Sequence, residues 1–143
     1  MNWLIVGLLS FLPLGCATQN FPGTASYVAV PSSQIFGSVQ TTDKSKGTAL
    51  AIVKRDQGFT GAALSSFLTI DGKRIALIKP GQYVELTLRP GEYVFGVAWS
   101  DDLGPLETGT TREVSVDCKA EKTYYIRMFP QAGSGIIIER ASQ

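Results

Sequence analysis

The sequence predicts an all-β protein, an antiparallel β-sandwich of seven or eight strands that follows a signal peptide and a short polar tether. Three observations predict it. From Gly47 onward, Val, Ile, Thr and aromatic residues gather in short runs, the composition that suits a pleated, half-buried surface. Gly, Pro and Asp separate those runs. Within them apolar and polar residues alternate with period two, and no segment sustains a helical period with caps.

The elements begin with an apolar leader over residues 1–15, in which Ser10 and Pro13 are the clear interruptions between Trp3 and Leu14. Its length suits a signal-peptide core and falls short of the ~20 residues that a spanning helix needs. Leu12-Pro13-Leu14-Gly15-Cys16 closes it. A short apolar run ending in a small residue and then cysteine resembles the lipobox of bacterial lipoproteins. That resemblance implies that Cys16 becomes the mature N-terminus and carries acyl chains. The alternative is ordinary cleavage after Ala17, since Gly15-Cys16-Ala17 also offers small residues where such sites want them.

Residues 16–46 are expected to hold the anchor site and the tether. No charge occurs before Asp43, and Phe21-Pro22-Gly23 and Val30-Pro31-Ser32-Ser33 interrupt a Ser-, Thr- and Gln-rich stretch. A flexible chain of this length spans on the order of 30 Å. Its scattered apolar residues leave room for a docked strand over 34–40 as the alternative.

The sandwich domain is assigned to residues 47–143, with strands over 49–55, 64–70, 74–78, 82–88, 92–99, 111–117, 122–129 and 135–140. Asp71-Gly72 has the residues of a type I′ hairpin turn. Lys79-Pro80-Gly81 and Arg89-Pro90-Gly91 place Pro and then Gly where a type II turn wants them. Alternation turns Val84, Leu86 and Leu88 inward, and Tyr83, Glu85 and Thr87 outward. Tyr124, Ile126 and Met128 likewise oppose Tyr125, Arg127 and Phe129. Phe95, Trp99 and Tyr124 are assigned to the core, and Cys118 reads as a small buried hydrophobe at a strand end.

The order of these signals carries a further resemblance. Ile70-Asp71-Gly72-Lys73 is followed by Lys79-Pro80-Gly81-Gln82-Tyr83, by Leu88-Arg89-Pro90-Gly91-Glu92-Tyr93 and by Lys122-Thr123-Tyr124-Tyr125-Ile126-Arg127. The pattern resembles an uncharacterised family of bacterial envelope lipoproteins, related to PEGA-type β-sandwich domains. A DGK hairpin, a PG turn before an aromatic and a TYY strand recur there in this order. The resemblance implies a sandwich in the cell envelope. Its motifs are turn chemistry and strand packing, so it brings no catalytic residues with it.

Composition excludes several kinds of chemistry. The chain has no histidine, which removes Ser-His-Asp and Cys-His catalysis and every histidine-ligated metal site. Its two cysteines stand far apart, and a lipidated Cys16 could not pair with Cys118. A net charge of +1 without a basic stripe gives no footprint for nucleic acid. Asp101-Asp102 reads as a solvated hairpin tip, Gly133-Ser134-Gly135 as a turn, and Lys54-Arg55-Asp56 as a solvated strand end. No catalytic residue, metal ligand or cofactor is assigned.

Tyr83 and Tyr125 are the candidate binding face, because both fall at outward positions where a merely soluble sheet would carry Lys, Thr or Glu. The expected function is a non-catalytic, lipid-anchored module of the envelope, at the outer membrane and facing the periplasm, with an envelope protein as partner. The alternative is a carbohydrate-binding module for peptidoglycan or another polysaccharide.

The lipobox resemblance implies that lipoprotein processing makes Cys16 the first residue of the mature chain. Intact-mass analysis of membrane-extracted protein should then show a start at Cys16 plus two or three acyl chains. A mature form that starts at Thr18 without lipid mass would refute the anchor.

Overall fold

A computed structural model describes residues 26–37, 47–57, 65–99, 112–131 and 135–141, apart from the side chain of Trp99. Cys16, Asp101 and Asp102 lie outside the described residues, as does most of the Gly133-Ser134-Gly135 turn. Two sheets face each other. In chain order the strands are β1 (Val28–Ala29), β2 (Ala49–Arg55), β3 (Ser66–Ile70), β4 (Lys73–Ile78) and β5 (Gln82–Leu88). They continue with β6 (Gly91–Trp99), β7 (Arg112–Cys118), β8 (Thr123–Gln131) and β9 (Gly135–Arg140). One sheet has the order β1-β5-β2-β8-β9 and the other β4-β3-β6-β7. The chain is an all-β sandwich.

Every run of alternating residues from Ala49 onward becomes a strand. Val84, Leu86 and Leu88 meet Tyr124, Ile126 and Met128 of the same sheet in the core. Leu68, Ile70, Ile78 and Phe95 come to it from the other sheet. Cys118 ends β7 and is buried with them, and burial, followed by the charge of Asp117, pushes its thiol up to about 11.

Turn chemistry acts locally where it makes a hairpin. Asp71 and Gly72 join β3 to β4 with φ of 50° and 73°, the left-handed pair of a type I′ turn. The Asp71 carboxylate also accepts a hydrogen bond from the Val94 amide at 2.9 Å, tying the hairpin tip to β6. Lys79-Pro80-Gly81 does turn with Gly81 at φ 76°, and the Gln82 amide donates to the Lys79 carbonyl at 3.1 Å. It carries the chain from one sheet to the other. Arg89-Pro90-Gly91 departs from the type II expectation. Gly91 has φ 158° and is already paired with Cys118 in β6, so Arg89-Pro90 is a link between sheets.

Two pairings are parallel, β1 with β5 and β2 with β8, within an otherwise antiparallel arrangement. Parallel partners need a long crossover between them, so no short turn motif announces them. Here the crossover from β2 to β8 runs through the whole second sheet.

The boundary placed at Gly47 is corrected by the segment 26–37, which packs on the sandwich. The Val28 amide donates to the Gly81 carbonyl at 2.9 Å and the Val30 amide to the Tyr83 carbonyl at 2.8 Å. The chain then makes a single 3-10 turn over Ser32–Gln34, and Ile35 bridges to Ala76 of β4. Strands β5 and β4 would otherwise leave their backbone groups bare on this side of the molecule. One segment covers an edge of both sheets, as exposed edges require. Tyr27 and Val30 are buried by it. The alternative of a docked segment over 34–40 meets the structure at the Ile35 bridge, whereas β1 went unread because two-residue pairing leaves too little alternation.

A fragment that starts at Gly47 should melt well below one that starts at Ser26. Losing the burial of Tyr27, Val30 and Ile35 should cost roughly 3 kcal/mol or more. Equal denaturation midpoints for the two fragments would show that residues 26–37 add nothing to the fold.

Candidate functional site

Three consecutive charges occupy the last two positions of β2 and the residue after it, and their expected exposure is overturned. Lys54, Arg55 and Asp56 are 1%, 2% and 8% exposed. Strand alternation sends Arg55 into the space between the sheets, and Lys54 and Asp56 to the outer face of the five-stranded sheet. Arg55 Nη1 crosses the sandwich to donate to Ser66 Oγ at 3.1 Å and to the Ile78 carbonyl at 3.0 Å. Burial lowers its pKa to about 10, so it stays charged at neutral pH.

On the outer face, Asp56 Oδ2 accepts hydrogen bonds from Arg127 Nε at 2.7 Å and from Arg127 Nη2. The hydrogen bond to Asp56 raises the Arg127 pKa despite its burial. Arg127 also lies 4.7 Å over the Phe129 ring and 3.7 Å from Glu139. Lys54 Nζ sits 4.6 Å from the Tyr27 ring centroid. Burial pulls the Lys54 pKa down, with Asp56 opposing the shift. Burial pushes the Tyr27 hydroxyl up, and the Asp56 charge adds to it. Gln57 Nε2 donates to the Ser26 carbonyl at 3.1 Å and holds the N-terminal segment over the cluster. These charges are engaged with one another, and the arrangement is a structural lock.

Tyr83 and Tyr125 both lie half-buried on this outer face, where alternation put them. The register separates them. Tyr83 is opposite Lys54, and Tyr125 is opposite Ile52 on the other side of β2. Two strand spacings, about 10 Å, and a two-residue offset lie between their positions. Tyr83 borders β1, where Ala29 is its partner. Tyr125 instead lines an open cleft of about 690 Å³ at the opposite end of the sheet.

That cleft is formed by Lys119, Lys122, Thr123, Tyr124, Tyr125, Arg140 and Ala141. The Lys119 amide donates to the Tyr124 hydroxyl at 2.9 Å, and the Arg140 guanidinium lies 5.2 Å from the Tyr124 ring centroid. A hollow of about 310 Å³ adjoins it, sharing Lys122 and Thr123 and adding Thr48, Thr87 and Glu121. Sequence reasoning singled out Tyr125 here and passed over the three cations. They stand in the β7–β8 arch and at the far end of β9, and nothing in their spacing announces that they converge.

Chemistry for turnover is sparse among the described residues. No group of three or more His, Cys, Asp or Glu could hold a metal ion there. The Cys118 thiol is buried with a raised pKa, a poor environment for a nucleophile. Ser66 is engaged by Arg55. No helix of these residues is long and apolar enough to cross a membrane. No protein-family model matches the chain, and no curated protein matches it significantly.

The buried Asp56–Arg127 pair generates a stability prediction. Asp56→Asn should cost roughly 2–4 kcal/mol, because it leaves the largely buried Arg127 with only the more distant, half-exposed Glu139 as a counter-charge. Asp56→Leu combined with Arg127→Met should cost less than the sum of the two single changes. Urea denaturation of the four proteins measures the coupling, and additive costs would reduce the pair to an ordinary surface bridge.

Proposed function

We propose that this chain is a lipid-anchored protein of the bacterial cell envelope, tethered through Cys16 to the outer membrane on its periplasmic side. Its sandwich acts as a non-catalytic accessory module that binds an envelope protein. The observation that carries the reading is the placement of Tyr125 in an open cleft beside fixed side chains. Large aromatics at such places are the residues that most often anchor an interface.

The charge arrangement supports binding over turnover. Lys54, Asp56 and Arg127 are engaged in packing the N-terminal segment and the sheet together. The polar residues of the cleft are Lys119, Lys122, Thr123 and Arg140, without the Asn, Asp or Gln side chains that grip sugar hydroxyls. This favours a protein partner over a neutral glycan.

The tether is shorter than expected under this reading. Ser26 is already held by Gln57, so residues 17–25 alone separate the anchor from the sandwich. A chain of that length reaches at most about 35 Å when fully extended. The module therefore works close to the membrane surface.

A photoreactive residue in place of Tyr125 should give a discrete covalent adduct in cells. The same residue in place of the exposed Ser115, on the other sheet, should give none. Tyr125→Ala should abolish recovery of that partner while leaving the melting temperature within about 2 °C. Tyr83→Ala, beside β1, should weaken recovery less. Adducts of equal yield at 115 and 125, or unfolding by Tyr125→Ala, would overturn the proposed contact face.

A further inference from the structure

The cleft around Tyr125 carries more information than its aromatic ring. Three cations, Lys119, Lys122 and Arg140, line it, and no carboxylate is among its lining residues. Asp117, outside the lining, is engaged by Lys119 at 3.2 Å on the open surface, where such a pair costs little to open. Arg140 is held against the Tyr124 ring, and that ring is fixed through its hydroxyl by the Lys119 amide. A guanidinium fixed in advance loses less conformational freedom when it binds.

We infer that this cleft is the docking site for an acidic segment of the protein partner, whose Asp or Glu carboxylates pair with Lys119, Lys122 and Arg140 while Tyr125 packs against its backbone. The inference rests on the proposed binding role of this face and specifies the chemistry of its partner. Carboxylates favour such a site because guanidinium and ammonium groups give them charge-assisted hydrogen bonds. A cleft of about 690 Å³ has room for several side chains.

Position argues against the anchoring bilayer as the occupant. The N-terminal segment joins the sandwich beside Gln57 and Gly81, at the Arg55 end of β2. The cleft lies at the other end, where Thr123 pairs with Leu50. Seven residues of β2 separate the two ends, about 20 Å along the strand. A chain anchored through Cys16 thus enters the sandwich at one pole and carries these cations at the other.

The test uses the full lipidated chain in non-ionic detergent micelles with a fluorescein-labelled hexaglutamate peptide. Anisotropy should rise with hexaglutamate and not with hexaglutamine, and binding should weaken as salt is added. Lys122→Gln with Arg140→Gln should weaken it about tenfold or more at an unchanged melting temperature. Lys119→Gln with Lys122→Gln, both exposed, serves should the loss of Arg140 unfold the sandwich. Equal binding of hexaglutamine, or an unchanged affinity in the folded variant, would overturn the inference. So would displacement of the peptide by oligogalacturonate or glycerol phosphate at lower concentration than unlabelled hexaglutamate. A photo-adduct at position 125 that persists with Lys122→Gln and Arg140→Gln would retire the acidic partner and leave the binding role of Tyr125 standing.

Discussion

Burial of Lys54, Arg55 and Asp56 at the end of the central strand is the constraint on which the rest of this sandwich depends. Taking three consecutive charges out of water is costly unless each finds partners of good geometry. Strand alternation divides the task between two faces. Arg55 must reach the opposite sheet, which fixes the separation of β2 from Ser66 and Ile78. Lys54 and Asp56 must be satisfied on the outside, which recruits Arg127 from β8 and Tyr27 from the N-terminal segment. One tripeptide therefore joins the two sheets, the parallel neighbour and the segment that precedes the sandwich.

The same constraint explains why a polar, uncharged segment belongs to the domain. Residues 26–30 supply the apolar ring over Lys54 and a row of backbone groups for the edge of β5. Ile35 then pairs with Ala76 on the edge of β4. Closure of these edges limits strand addition from other chains, a hazard for any sandwich with open sides. Val28 stays 68% exposed in this arrangement, so the segment is held by its backbone and by Tyr27 and Val30, which flank β1 on either side.

Charges are locked at one pole of the sheet, and the cleft at the other pole carries accessible ones. Glu85 and Ile52 share the middle row of the outer face with Tyr125, while Lys119, Lys122 and Arg140 surround the cleft beyond. Rigidity and accessibility are thus separated along a single sheet. A module built this way can be held near a membrane at one end and recognise a partner at the other. That division is the physical content of the proposed function.

What the sequence determined by itself is what local geometry encodes. Period-two alternation set which of Val84, Leu86, Tyr124 and Ile126 enter the core and which of Tyr83 and Tyr125 leave it, since the pleat fixes side-chain direction without reference to distant residues. Asp71-Gly72 determined its hairpin for the same reason, because its φ values belong to two adjacent residues. Arg89-Pro90-Gly91 has the same dipeptide as Lys79-Pro80-Gly81, yet Gly91 entered a strand because Cys118 lay waiting as its partner. Only the tertiary structure decided the burial of Lys54-Arg55-Asp56, the docking of 26–37, the parallel pairing of β2 with β8, and the meeting of Lys119, Lys122 and Arg140. In each case the deciding partners are far apart in the chain. A charged tripeptide reads as solvated until the residues that replace its water are brought to it by the fold.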